Sequence, residues 1–206
     1  ANVDSYWMPL AETFIAQGSG GFLLHNVPLW FVTCLFVVEI IYYFLADLKR
    51  LWIMTITIVM AAISYWAINN LESFDVTLLP WNIEVAMLAI PFYAAGHWIV
   101  KAKTHQGIMN MVNSHKITTI VLTAVFAYVV YIGSQYNGSI SFGHADLGKN
   151  VFVTYGCGLA GTLMWLIGCI LLADTKINKA GVKLLEWTKW FGRNSFNAMA
   201  IHNPIK

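Results

Sequence analysis

Glu39 is the residue of this sequence whose position most demands a chemical explanation. It sits eleven residues into the apolar run Pro28–Ala46 and is the only charge in that run before Asp47. At 1.5 Å per helical residue this is about 16 Å, near the midplane of a hydrocarbon core ~30 Å thick. An acid at that depth costs at least ~2.5 kcal/mol to insert. It must face the interior of a bundle, meet a donor, or carry a proton. Tyr42 and Tyr43 follow three and four residues later, on its side of a helix. Two readings stand: a catalytic or substrate-binding carboxylate, the default for an intramembrane acid, or a structural acid satisfied by a tyrosine or another helix.

Glu84 is the third residue of the run Asn82–Val100, beside Trp81, at a boundary where a charge is cheap. It reads equally as the wall of a site or as an ordinary boundary residue. His97 lies thirteen residues further, on nearly the opposite face, so the two are not a pair. His97 reads as a satisfied interfacial histidine. Near the C-terminus, Gly192-Arg193-Asn194-Ser195-Phe196 reads as the start of a helix with Asn194 or Ser195 as its N-cap. Ser195 and His202 share a face but stand about 10 Å apart along the axis, too far for a nucleophile–base pair. They can still line one cleft, and His202 is a buried ionisable group of either a site or a packing contact.

Other chemistries find little support. The six histidines show no H-x-x-x-H spacing, so no metal site is expected. Cys34, Cys157 and Cys169 lie inside apolar runs with no C-x-x-C among them, which argues against a disulfide framework or a zinc knuckle. No glycine-rich phosphate loop precedes a helix, and no bound cofactor is expected. Gly156, Gly158, Gly161 and Gly168, with Ala160 and Thr162, read as small residues for close helix packing.

The elements that hold these residues follow from composition. Of the 206 residues 58% are hydrophobic and 11% charged; a soluble domain is nearer ~45–50% and ~25%. The mean hydropathy is +0.63. Twelve Lys+Arg and ten Asp+Glu cannot clothe a soluble fold of this size, and the net charge of +2 offers no nucleic-acid groove. The expected fold is all-α, a polytopic transmembrane helix bundle with five full spans, each near the ~20 residues a crossing needs. They are Pro28–Ala46, Leu51–Ile68, Asn82–Val100, Ile117–Gly133 and Val151–Ala173, and a sixth helix begins near Ser195. One membrane-embedded domain, 1–206, is expected, as a piece of a longer protein because the first residue is Ala rather than Met.

The loops predict an orientation. Lys+Arg counts are 0 in 1–27, 2 in 47–50, 0 in 69–81, 3 in 101–116, 1 in 134–150 and 5 in 174–194. Cytoplasmic loops carry the basic residues, so 1–27, 69–81 and 134–150 are expected outside, and 47–50, 101–116 and 174–194 inside. Trp30, Trp52, Trp66, Trp81, Trp98 and Trp190 lie near run ends, where amphipathic rings favour the interface. The stretch 101–116 places Ile108, Met109, Met111 and Val112 among polar residues and reads as an interfacial helix. Asn137-Gly138-Ser139 is a turn signal and also a glycosylation sequon, which matters only in a eukaryotic secretory membrane.

Three segments in order resemble the acyltransferase 3 family of integral-membrane sugar O-acyltransferases, in particular its fucose 4-O-acetylase-like branch. The first is Pro28-Leu29-Trp30-Phe31 continuing through Leu35-Phe36 to Glu39. The second is Leu79-Pro80-Trp81-Asn82-Ile83-Glu84 continuing to Phe92-Tyr93-Ala94-Ala95-Gly96. The third is Phe191-Gly192-Arg193-Asn194-Ser195 with His202. The resemblance implies about ten transmembrane helices with both termini cytoplasmic, the five runs being helices four to eight and the truncated one the ninth. It implies transfer of an acyl group, usually acetyl, from cytoplasmic acyl-coenzyme A to a carbohydrate or glycolipid hydroxyl, with acetyl-CoA as co-substrate, in a bacterial plasma membrane. The family's basic residue followed by a histidine in the first helix has no counterpart in this chain.

On that resemblance Glu39 and His202 are the expected catalytic residues. Glu39 would orient a base or the acceptor hydroxyl, while Trp30 near the outer mouth would stack a sugar and Glu84 would line the acceptor site. Arg193, Asn194 and Ser195 would meet the anionic coenzyme from the cytoplasmic side, where a helix N-terminus favours anions. The rival expectation is a transporter or flippase, which would use the same bundle and the same buried ionisable groups; a helix broken at Pro91 would favour it.

Overall fold

The computed structural model describes residues 29–70, 79–174 and 186–195. Among them the regular structure is helical, apart from one isolated antiparallel bridge between Ser141 and Asp146. The helices are α1, Leu29–Leu45; α2, Arg50–Asn70; α3, Ile83–Lys101; α4, Thr104–Ser114; α5, Lys116–Asn137; and α6, Val151–Asp174. A seventh, α7, covers 186–195. Two 3-10 turns, Pro80–Asn82 and Phe142–His144, precede α3 and lie between α5 and α6.

α2, α3 with its lead-in turn, α5 and α6 are each long and apolar enough to cross a bilayer, and α1 is a shorter apolar helix of 17 residues. These are the expected spans of an all-α membrane bundle. In hydrocarbon every backbone N–H and C=O must be paired within the segment, and a charge-free run satisfies that demand as a helix. α5 continues four residues past the apolar run, to Asn137, and stops where Gly138 takes a positive φ of 78°. α3 runs unbroken through Pro91.

The chain forms two compact units. The first holds α1, α2, α3 as far as Ala94, Phe142–Ala145 and α7. In it α1 buries Cys34, Val38 and Tyr42, α2 buries Ile53, Thr57, Ala61 and Ser64, and α3 buries Val85, Leu88, Ile90 and Ala94. The α2 residues recur every three or four positions, a narrow stripe of mostly small side chains that allows close backbone approach. The Ser64 hydroxyl donates to the Glu84 carbonyl oxygen at 2.8 Å and ties α2 to α3.

The second unit holds the rest of α3 with α4, α5 and α6. α5 and α6 pack along their lengths. Gly133 makes the crossing possible, because a methyl group there would run into the Cys157 side chain. The expected helix in 101–116 is α4; its Val112 is fully buried while Met109 is exposed.

The connection from α5 to α6 closes on Asn137. Its Nδ2 donates to the Leu147 carbonyl at 3.0 Å and to Thr154 Oγ1 at 2.7 Å. Its Oδ1 accepts from the Asn150 N–H at 2.6 Å. The Asn150 side chain in turn caps α6 by accepting from the N–H groups of Phe152 and Val153.

Candidate functional site

The expected site residues on α1 and α3 belong to the first unit, and their surroundings begin with the lead-in to α3. Pro80 opens the 3-10 turn, and the next two residues are left-handed: Trp81 at φ 61°, ψ 16°, and Asn82 at φ 52°. A left-handed residue other than glycine costs roughly 1–2 kcal/mol, and a bulky one such as Trp is an outlier. Asn82 is fully buried, Trp81 stays 43% exposed, and α3 starts with its first-turn acid, Glu84, turned inward.

Glu84 is only 3% exposed, so it is a buried carboxylate rather than the boundary residue of cheap position that hydropathy implied. Its Oε2 has no hydrogen-bond partner among the described residues. A buried acceptor left without a donor carries a penalty of about 1–3 kcal/mol, and a ligand hydroxyl is one group that would relieve it.

Glu39 lies on the open side of α1 and is exposed. It does not face the packed interior of the described helices. The two tyrosines expected beside it part company: Tyr42 is buried and its ring packs on Tyr93 at 5.0 Å, whereas Tyr43 is 76% exposed. The packed face of α1 is the one carrying Cys34, Val38 and Tyr42, which leaves Phe36, Glu39, Ile40 and Tyr43 along the open face. The Phe36 ring meets Trp81 edge-on, with centroids 6.2 Å apart.

Trp30 is half-buried. Gly143 of the second 3-10 turn lies against its indole so closely that an added methyl group would sit 3.1 Å from the ring. Phe142 packs edge-on against Phe92, 6.2 Å away. This turn covers part of the ring expected to stack a sugar.

Arg193, Asn194 and Ser195 lie within α7, which is already helical from residue 186, and so do not start a helix. The side chains of Asn194 and Ser195 bond back to the carbonyl oxygens of Trp190 and Gly192, both at 2.9 Å, so neither acts as an N-cap. Such back-bonding within one helix satisfies the polar side chains without a ligand. His202 falls outside the described residues. His97 is half-buried with its ring against Trp98. Among the described residues no group of three His, Cys, Asp or Glu side chains could hold a metal ion.

The first unit thus holds Glu39, Glu84 and Trp30 as well as Arg193, Asn194 and Ser195, and two further residues stand out in it that sequence reasoning gave no place in the site. Trp81 had been assigned to the interfacial aromatic belt, and Asn82 had been given no role. A Pro-Trp-Asn tripeptide at the start of an apolar run was the available signal, since Pro is favoured in a first helical turn and Asn tolerates the left-handed region.

No curated protein and no solved structure matches the chain. A family description, "Acyltransferase domain", matches residues 2–205. Covering nearly the whole length, that match fits the ordered segments around Glu39, Glu84 and Arg193: the chain belongs to the acyltransferase 3 family.

Proposed function

We propose that the protein is an integral-membrane O-acyltransferase that moves an acyl group, acetyl in this reading, from acyl-coenzyme A to a carbohydrate hydroxyl. The family match over residues 2–205 carries this reading. The fucose 4-O-acetylase-like branch, a glycolipid or polysaccharide acceptor and a bacterial plasma membrane belong to the same proposal.

The chemistry requires three services. The acceptor oxygen attacks the thioester carbonyl carbon, forming the C–O bond as the C–S bond breaks. A base must take the hydroxyl proton, which returns to the departing thiolate. Donors must meet the carbonyl oxygen as negative charge develops on it. In this reading Glu39, open to the space beside α1, orients the acceptor hydroxyl or its base, and His202 joins it. Glu84 offers its unpartnered oxygen to a second hydroxyl of the acceptor. Trp30 contributes an aromatic edge. Arg193 supplies positive charge for the coenzyme's phosphates, with Asn194 and Ser195 beside it. With α3 unbroken at Pro91, the hint of a discontinuous helix that favoured a transporter is gone from that position.

The test is acyl transfer by the purified protein in lipid nanodiscs from radiolabelled acetyl-coenzyme A to glycans from a deletion strain. Expected is acid-stable, base-labile label in the glycan. Label that stays in the coenzyme, together with gradient-driven sugar uptake into vesicles, would replace the acyltransferase by a transporter.

A further inference from the structure

We infer that Trp81, Phe36 and Glu39 form the acceptor's carbohydrate subsite, an inference that rests on the reading of the protein as a carbohydrate acyltransferase. Trp81 offers an aromatic face to the apolar side of a sugar ring. Phe36 fixes that ring from the edge, and Glu39, one helical turn below Phe36, takes the sugar's hydroxyls.

Three independent observations converge on these residues. First, the Trp81 backbone is left-handed, a conformation glycine adopts without cost and Trp does not. An aromatic residue in that conformation, with its side chain 43% exposed, has a use for its ring. Second, that ring sits on Phe36, which is itself 54% exposed. Third, Glu39 follows Phe36 by three residues and therefore lies on the same face of α1, about 5–6 Å away between Cβ atoms.

The combination selects the ligand. An acyl chain would cover Phe36 and Trp81 but leave the Glu39 carboxylate without donors at membrane depth, where that is costly. A sugar has both parts: a C–H face that packs on an aromatic ring, and hydroxyls that donate to a carboxylate. Trp30, whose indole is partly covered by Gly143, has less of its face to give.

The experiment is saturation-transfer NMR of the purified protein in nanodiscs with the methyl glycosides of glucose, galactose, rhamnose and fucose. Expected is transfer strongest on the ring hydrogens of one sugar face. Trp81→Ala and Trp81→Gly should each weaken binding about tenfold, the loss of one well-packed aromatic contact, while Trp81→Phe keeps most of it. Glycine suits the left-handed backbone, so Trp81→Gly should accumulate at the wild-type level, and its loss of binding cannot be a folding defect. Coenzyme A binding should be unchanged in all three variants. Wild-type affinity in both Trp81→Ala and Trp81→Gly overturns the subsite and leaves the acyltransferase reading standing. No transfer to any glycoside in the wild-type protein overturns both.

Discussion

Replacing Asn137 by Ala should be among the most damaging single changes in the second unit. The side chain is 2% exposed and makes three hydrogen bonds. In the Ala variant the Leu147 carbonyl keeps a partner, because the Thr154 hydroxyl also donates to it at 2.5 Å. The Asn150 N–H does not, since its bond to Asn137 Oδ1 is lost just ahead of α6. One orphaned donor costs about 1–3 kcal/mol, and the two lost neutral bonds about 1 kcal/mol each. The sum, about 3–5 kcal/mol, corresponds to a fall in Tm of roughly 6–20 °C for a protein of this size. Asn137→Asp sharpens the test. It keeps the shape and the acceptor for Asn150 but turns a second oxygen toward the Leu147 carbonyl, so it should be at least as harmful as Ala. The assay is thermal denaturation of the purified protein followed by fluorescence-detected size exclusion, with the exposed Ser139→Ala as reference. If Asn137→Asp melts with the wild type, the side chain only fills space and the hydrogen-bond argument is wrong.

The same loop makes Gly148→Ala costly for two reasons, a φ of 71° and an added methyl group 2.6 Å from Asn137 Nδ2. Its melting temperature should drop by more than the left-handed strain of ~1–2 kcal/mol alone produces. Glu39→Gln should leave the amount of membrane protein unchanged and lower kcat/KM for acyl transfer about 10- to 100-fold, the loss of a charge-assisted hydrogen bond; undiminished product removes Glu39 from the site. Cysteines placed in 69–81 and 134–150 should react with an impermeant thiol reagent in intact cells and those in 101–116 should not, and labelling of 101–116 from outside reverses the topology.

The spans were legible because hydropathy and backbone pairing in hydrocarbon act on whole segments. The helix from Arg50 to Asn70 differs from its apolar run by only one residue at the start and two at the end. What could not be read was the orientation of each helix about its axis. α1 is apolar on every side but for Glu39, so the pattern does not distinguish the face of Cys34, Val38 and Tyr42, which packs, from that of Phe36 and Tyr43, which does not. The acid invited the opposite assignment. Glu84 was misjudged for a related reason: depth from the end of a run measures distance to water along one helix and ignores α1 and α2 beside it. Trp81 was hidden because a left-handed pair leaves no trace in hydropathy. In the C-terminal segment the helix was expected to begin near Ser195, after a loop over 174–194, but the chain is already helical from 186. The run Trp187, Trp190 and Phe191 continues the helical ladder through Asn194 and Ser195, where capping chemistry alone argued for a start.

Asn137 also heads the sequence Asn137-Gly138-Ser139, the acceptor pattern for N-linked sugars. Attachment requires that amide nitrogen to be free, and in the closed loop it is donated inward twice. Were the protein made in a yeast or animal cell with this loop in the lumen, properly folded copies would emerge bare. A glycan at Asn137 would then tag the chains that the glycosylating enzyme reached before the loop shut. The ratio of tagged to bare chains would be a clock, timing closure of the α5–α6 connection against synthesis.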